Sequence, residues 1–431
     1  MGMATSKVLV SRGSFIVGTI FFLLIFSISW TLPDRKFSAS LSLEAIYYLF
    51  VLAVVIVSAV LLVFSGRLKV ELTRTLLCYL VIFGFCAASV AWAKYPLWTI
   101  KEVAIGSFVV FSCIFCSKLH RNYDLVGIFW NVGSAMLVLS FVSVMFSIVS
   151  GRFTQIMIQR GQIGYFDLQG VFTLDNSFYA AMLFVSFARI DRYGVSLFRV
   201  LVLISAAVLL ALSFSRSYFL AAMLALMSIY IFRRRLIFVA PCVGICLILV
   251  LSLIVTDNFV SRSFKKNGAE LTVSSFSTGG SLKDLPIDSS GRFNRWIYAA
   301  EQARKSKGGA LLGLGWGGSR KVMLESRWDA GYIHGDYARI YVELGRVGLA
   351  LYVLLLIGLL LYFVKKYRKS TSLDQREVLT VLILLLTYLF FIGVTYETIN
   401  KYRYFHFVFI LYATRSVKLK EQLPCRRRDS V

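Results

Sequence analysis

Gly313–Gly348 reads GLGWGGSRKVMLESRWDAGYIHGDYARIYVELGRVG, a polar, charged and glycine-rich passage that runs straight into an apolar segment starting at Val347. It holds His334, one of three histidines in the chain. Between Asp336 and Leu344 the spacing predicts a short helix, with Tyr337, Ile340, Tyr341 and Leu344 on one face. Gly345 should stop it. A helix with one apolar face that leads into an apolar run suits a membrane interface. Asp336 falls in its first turn, where a negative charge complements the helix dipole. The passage therefore predicts a fold in which a polar junction is set among membrane helices.

The rest of the chain agrees with that frame. Its 431 residues are 58% hydrophobic and 16% charged, with a mean hydropathy of +0.74. Soluble chains are richer in charge and poorer in long apolar runs. The fold class expected is all-α, a polytopic membrane helix bundle. Apolar runs fall at 14–32, 45–65, 75–93, 100–117, 125–149, 173–188, 197–213, 217–232, 236–255, 347–364, 378–396 and 403–417. That makes about twelve spans for a hydrocarbon layer of roughly 30 Å. The first run is longer than a signal-peptide core and reads as an uncleaved span.

Four regions follow from this: 1–255 with the first nine spans, 256–346 as one large loop, 347–417 with the last three spans, and a basic tail at 418–431. Lys and Arg crowd one set of connecting segments, such as Arg233, Arg234 and Arg235, or Lys365, Lys366, Arg368 and Lys369. The alternate short segments hold far fewer, and only the first loop pair breaks the pattern. By the positive-inside rule both termini are cytoplasmic and His334 faces out. The net charge of +25 then reflects topology and anionic lipid rather than nucleic acid. Six of the seven cysteines lie in apolar runs and Cys425 in the tail, so no disulfide framework is expected. Cys113 and Cys116 form C-x-x-C inside a span, which reads as packing.

The large loop divides in two. KKNGAELTVSSFSTGGSLKDLPIDSSG is rich in Ser and Gly and reads as flexible. Further on, Phe293, Trp296, Ile297 and Ala300 recur at helical spacing, and Gly308–Gly309 would end that helix. The loop is too small and too poor in apolar residues to fold alone, so it should pack on the membrane face. No internal repeat of the kind that builds two-halved transporters is visible.

Residues capable of chemistry concentrate outside. His334 can take a proton from a hydroxyl near neutral pH. In SFSRSYFL, Ser213 or Ser215 can cap the next helix, which puts Arg216 in a first turn, at the positive end. A bound anion resolves that conflict, since helix N-terminal amides and an arginine together form a phosphate site. DSSGRFNRW repeats the arrangement with Arg292, and Arg295 follows three residues on. Two such helix starts suggest one polyanion, a diphosphate, held between them. Asp336, Tyr337 and the arginine beside Ala338 (Arg339) are supporting candidates with Arg295. Glu102, Asp175 and Glu397 lie near outer span ends and read as caps. His120 sits in a basic turn, and His406 near the outer end of the last span. No D-x-D pair occurs and the histidines lie far apart, so no metal site is indicated.

GVFTLDNSFYAA, LSFSRSYFLAAM, SGRFNRWIYAAEQ, and GLGWG followed by YIHGDYARIYVELGRVGL resemble the O-antigen polymerase and O-antigen ligase superfamily. These are bacterial inner-membrane enzymes that move glycans from an undecaprenyl-diphosphate carrier. The resemblance implies a GT-C-like helical bundle, carrier diphosphate on Arg216 and Arg292, His334 as base for the acceptor hydroxyl, and no metal or other cofactor. The implied partners are an undecaprenyl-diphosphate-linked oligosaccharide as donor and acceptor, membrane lipids, and a chain-length regulator and flippase of the same pathway. Ligases usually carry an amide or hydroxyl residue after the histidine, whereas this chain has Gly335. H-x-D-Y, with an acidic residue before the later glycine, looks more like polymerases of O-antigen or exopolysaccharide repeats. The expectation is thus a polymerase at the outer face of the inner membrane. A ligase acting on lipid A-core or protein is the near rival. A flippase or transporter is the rival from another class, although such proteins place their polar site near the bilayer midplane.

Overall fold

An apolar run in lipid must hydrogen-bond its own backbone, which makes it a helix. The computed structural model describes residues 74–103, 125–150, 176–212, 216–232, 292–326, 333 and 335–394. Every regular element among them is helical: α1 (Arg74–Ala88), α2 (Leu125–Val149), α3 (Asn176–Tyr193), α4 (Leu197–Leu212), α5 (Arg216–Phe232), α6 (Arg292–Arg304), α7 (Gly309–Leu312), α8 (Gly318–Glu325), α9 (Asp336–Lys369) and α10 (Leu373–Ile392). A 3-10 turn, Ser89–Ala91, follows α1, and residues 96–103 are helical.

The expected spans that fall in this set appear as helices with ends displaced by a few residues. The count of twelve is not tested, because several of the expected spans lie outside the described residues. Among the described residues three helices are long and apolar enough to cross a membrane: α2, α9 and α10. The apolar helices Leu80–Ala91, Leu197–Ala211 and Ser217–Phe232 are shorter. The runs at 14–32, 45–65, 236–255 and 403–417, most of 100–117 and the Ser/Gly-rich half of the large loop lie outside the described residues. So do His120, His334, His406, Asp175 and Glu397.

α10 is the centre of the bundle, with 78% of its apolar window buried, and α3, α5 and α9 pack around it. The packing is close because the facing sides are small. Ala180, Ala181, Ser186 and Ala188 are buried on α3, and Ala221, Ala222 and Ala225 on α5. Polar side chains tie helices together inside: Ser177 and Tyr388 hydroxyls lie 3.0 Å apart, and Ser140 and Tyr179 2.6 Å. The outward sides of the peripheral helices carry Val138, Leu139, Val142 and Phe146 on α2, Leu197, Leu201 and Ile204 on α4, and Leu354, Ile357 and Leu361 on α9, all exposed. Such stripes are what lipid contact requires.

Charge closes one end of the bundle. Arg189 Nε stands 2.8 Å from Glu377 Oε1, and Arg192 pairs with Oε2 of the same carboxylate. Glu377 near the start of α10 thus meets the end of α3, while Ser177 at the start of α3 meets Tyr388 near the end of α10. The two helices therefore run antiparallel. α4 packs back along α3 after a short connection, and α5 follows it. Arg216, the first residue of α5, accordingly starts from the end where α10 finishes. That is also where α9 begins, since the Asp336 N–H donates to the Gly393 carbonyl at 2.7 Å.

A second, smaller core lies at this end. Ala299, Ala303, Leu314, Val322, Met323, Ile333 and Val342 are buried together, with Tyr95, Trp296, Tyr298, Ala338 and Tyr341 packed against them. The second half of the large loop therefore builds an apolar nucleus of its own, shared with the start of α9 and the segment around Tyr95. The helix after Gly335 does not lie along an interface with one face in lipid. Ile340 and Leu344 point into the bundle core and Val342 into the smaller one. The stop at Gly345 is present as a break in α9, where φ is 68° and ψ −164°.

Candidate active site

Gly335 fixes the chain next to His334. Its φ of 103° is one that side-chain-bearing residues rarely adopt. A Cβ there would meet the Val394 carbonyl oxygen at 2.8 Å and Cζ2 of Trp296 at 3.2 Å. Only glycine fits this gap. The amide or hydroxyl residue that ligases carry here would need a different backbone, so Gly335 answers to packing first. Ile333, on the other side of His334, is buried in the smaller core.

α9 starts under three constraints. The Asp336 N–H is held by the Gly393 carbonyl, the Tyr337 hydroxyl donates to the Phe390 carbonyl at 2.7 Å, and the Arg339 N–H donates to the Gly335 carbonyl at 3.0 Å. Asp336 is fully buried, with a carboxylate oxygen close to Gly393. Trp296, the residue that touches Gly335, sits on α6 four residues after Arg292, about 6 Å of rise. Arg295 is half-buried on the same helix. Arg292 and Arg216 are the first residues of α6 and α5. The start of α6 and the chain at Gly335 are therefore neighbours, and the start of α5 shares their end of the bundle.

The GLGWGG loop braces this arrangement from behind. Leu314 N–H donates to the Val342 carbonyl at 2.9 Å and Gly315 N–H to the Glu343 carbonyl at 2.8 Å. A Cβ on Gly313 would strike the backbone of Glu343, and one on Gly345 would strike the Leu311 carbonyl at 2.1 Å. On its far side the loop is fastened to the segment after α1. Lys94 N–H donates to the Leu314 carbonyl at 2.9 Å, Trp316 N–H to Ser89 Oγ at 2.9 Å, and Trp92 Nε1 to the Leu312 carbonyl at 2.9 Å.

Inside the brace lies a buried ion pair. Arg339 Nε donates to Glu343 Oε1 at 2.9 Å, with the two side chains 2% and 0% exposed. Ser319 donates to the same oxygen, and Gly317 N–H donates to Oε2 at 2.9 Å. The Arg339 guanidinium lies 5.2 Å from the centre of the Trp316 ring. A charge pair out of water survives only with its remaining hydrogen-bonding positions filled; here backbone and hydroxyl donors fill those of the carboxylate. At the rim the Tyr95 hydroxyl donates to Glu325 Oε2. Burial, then that hydrogen bond, raises the Tyr95 hydroxyl above its ordinary range, and the same bond holds the Glu325 carboxyl below its own.

Glu343, Trp316 and Ser319 were not singled out by their residue types. The R-x-x-x-E spacing of Arg339 and Glu343 was visible, but i,i+4 pairs usually sit on solvated faces. Among the described residues no group of His, Cys, Asp and Glu is placed to hold a metal ion.

No curated protein matches the chain. Residues 200–353 match the Wzy_C family model, described as O-antigen ligase. Three of the four motif stretches fall inside that match, including the GLGWG brace and the Gly335 turn. This match over residues 200–353 supports the resemblance of that part of the chain to the O-antigen polymerase and ligase superfamily.

Proposed function

We propose that the chain is a glycosyltransferase of the bacterial inner membrane that polymerises undecaprenyl-diphosphate-linked oligosaccharide repeats at the outer face. His334 removes the proton from an acceptor sugar hydroxyl as its oxygen attacks the anomeric carbon of the donor. The new C–O bond forms as the bond to the carrier diphosphate breaks, and the diphosphate leaves with the electron pair. Arg216 and Arg292 bind that diphosphate and stabilise its developing charge. A direct displacement inverts the anomeric carbon. Arg295, Asp336, Tyr337 and Arg339 support the site from α6 and α9. The observation that carries this reading is the contact of Trp296 with Gly335. It sets the start of α6 beside the chain that flanks the histidine, so anion binder and base can serve one substrate.

The family description favours a second reading, a ligase that hands finished glycan to lipid A-core. Donor and chemistry are the same and the acceptor differs. The test is purified protein given a lipid-linked repeat, without an ion gradient, in the presence and absence of lipid A-core. Long polymer without lipid A-core supports the polymerase; transfer only when lipid A-core is present identifies the ligase; no product in either case sinks both. His334→Ala should insert normally and make no product, and near-normal product from it would refute the role given to the histidine.

A further inference from the structure

A cationic surface lies across the GLGWGG loop from α9. Lys101 Nζ stands 4.9 Å from the centre of the Trp98 ring, and the Arg320 guanidinium carbon stands 5.8 Å from the same ring. Lys94 lies over the neighbouring Tyr95 ring at 5.3 Å, and Lys321 is 3.5 Å from Glu325. The carboxylates on these elements are Glu325 and the buried Glu102, so four cations meet two anions. The Trp98 indole N–H is buried and has no acceptor among the described residues. One turn before Lys101, Leu97 is 84% exposed, and Ile100 beside it is 50% exposed. A phosphate-seeking charge thus adjoins an apolar surface, which is the composition a lipid with an anionic head requires.

The surface is built into the site rather than appended to it. Gly317, whose N–H holds Glu343, comes so close to Trp98 and Glu102 that a Cβ there would strike Glu102 and press tightly on Trp98. The reaction proposed above brings two lipid-anchored substrates together, and their heads repel one another unless each has its own counter-charge. Resting on that reading, which assigns Arg216 and Arg292 to the donor, we propose that Lys101 and Arg320 bind the diphosphate of the second, acceptor carrier lipid. Leu97 and Ile100 then lie against its prenyl chain.

The test uses full-length protein in phosphatidylcholine nanodiscs, titrated with undecaprenyl diphosphate and read by native mass spectrometry. Wild type should bind two carriers per chain, and Lys101→Ala/Arg320→Ala one, with the second affinity down about tenfold or more. The charge-preserving Lys101→Arg/Arg320→Lys should keep both, which separates a lost site from a damaged fold. The KM for the lipid-linked repeat should rise in the alanine variant. A count of one carrier in wild type overturns the proposal, as does a count of two in the alanine variant. Displacement of the second carrier by phosphatidylglycerol at equal concentration also overturns it, since the surface would then read bulk anionic lipid. The count needs no turnover: two carriers bound by a wild type that makes no product would sink the proposed function and leave this site standing.

Discussion

Glu343 has no exposed surface, yet its carboxylate receives Arg339, Ser319 and the Gly317 N–H. It joins α9 to the start of α8 and holds the loop that braces the Gly335 turn. Glu343→Ala should strand the Arg339 charge inside the protein, at a cost of about 3–5 kcal/mol. The expected outcome is a large fall in thermal midpoint in detergent and little folded protein. Adding Arg339→Met should recover part of the loss, because the double variant carries no buried lone charge. If Glu343→Ala and the double variant melt together, the carboxylate is not serving as the partner of Arg339. The same geometry explains how this residue escaped notice in the sequence. An acidic residue before a glycine marks a helix end equally well when it is solvated, and only the approach of Gly317 and Ser319, distant in the chain, turns it into a buried node.

At the scale of elements, most helix positions were legible from apolar runs alone: the predicted 125–149 and 217–232 differ from α2 and α5 by at most one residue. Gly345 was legible as a stop because few other residues accept its backbone. The burial of the helix before it was not legible. Tyr337, Ile340, Tyr341 and Leu344 define one apolar face, and a single face implies a single partner. Val342 and Ala338 belong to another face, and the smaller core they enter is assembled from residues far away in sequence, beginning with Tyr95. How that segment is fastened to α8 gives a pH prediction. Glu325 has a lowered pKa in the folded protein through its bond with Tyr95. Its contribution is complete above the ordinary carboxylate value near 4.5 and is lost as pH falls through the lowered value. Cross-linking between the 92–103 segment and α8 should therefore weaken under strong acid in wild type. Tyr95→Phe should show the weaker link already at neutral pH and little further change on acidification. An equal acid response in both would place the sensitivity elsewhere.

At the scale of the whole molecule, α9 is shared between two cores. Ile340 and Leu344 belong to the bundle and Val342 to the smaller core, within about two turns of one helix. The GLGWGG loop adds backbone bonds from Leu314 and Gly315 to the same turns of α9 and from Lys94 back to Leu314. A loop on a soluble surface exchanges its amide hydrogens quickly, whereas one hydrogen-bonded inside a cooperative unit opens only when the unit does. The amides of Leu314, Gly315 and Trp316 should accordingly exchange with deuterium as slowly as those of the bundle helix α10. Val342→Ala, which trims the smaller core alone, should speed exchange at both places, because loosening that core loosens the helix that carries the bundle contacts. Slow exchange in α10 beside fast exchange at the loop would mean that the smaller core opens by itself. The start of α6, where the proposed function puts its anion binder, would then not be held in register with the chain at Gly335, and the proposed site for two lipid-linked substrates would lose its mechanical basis.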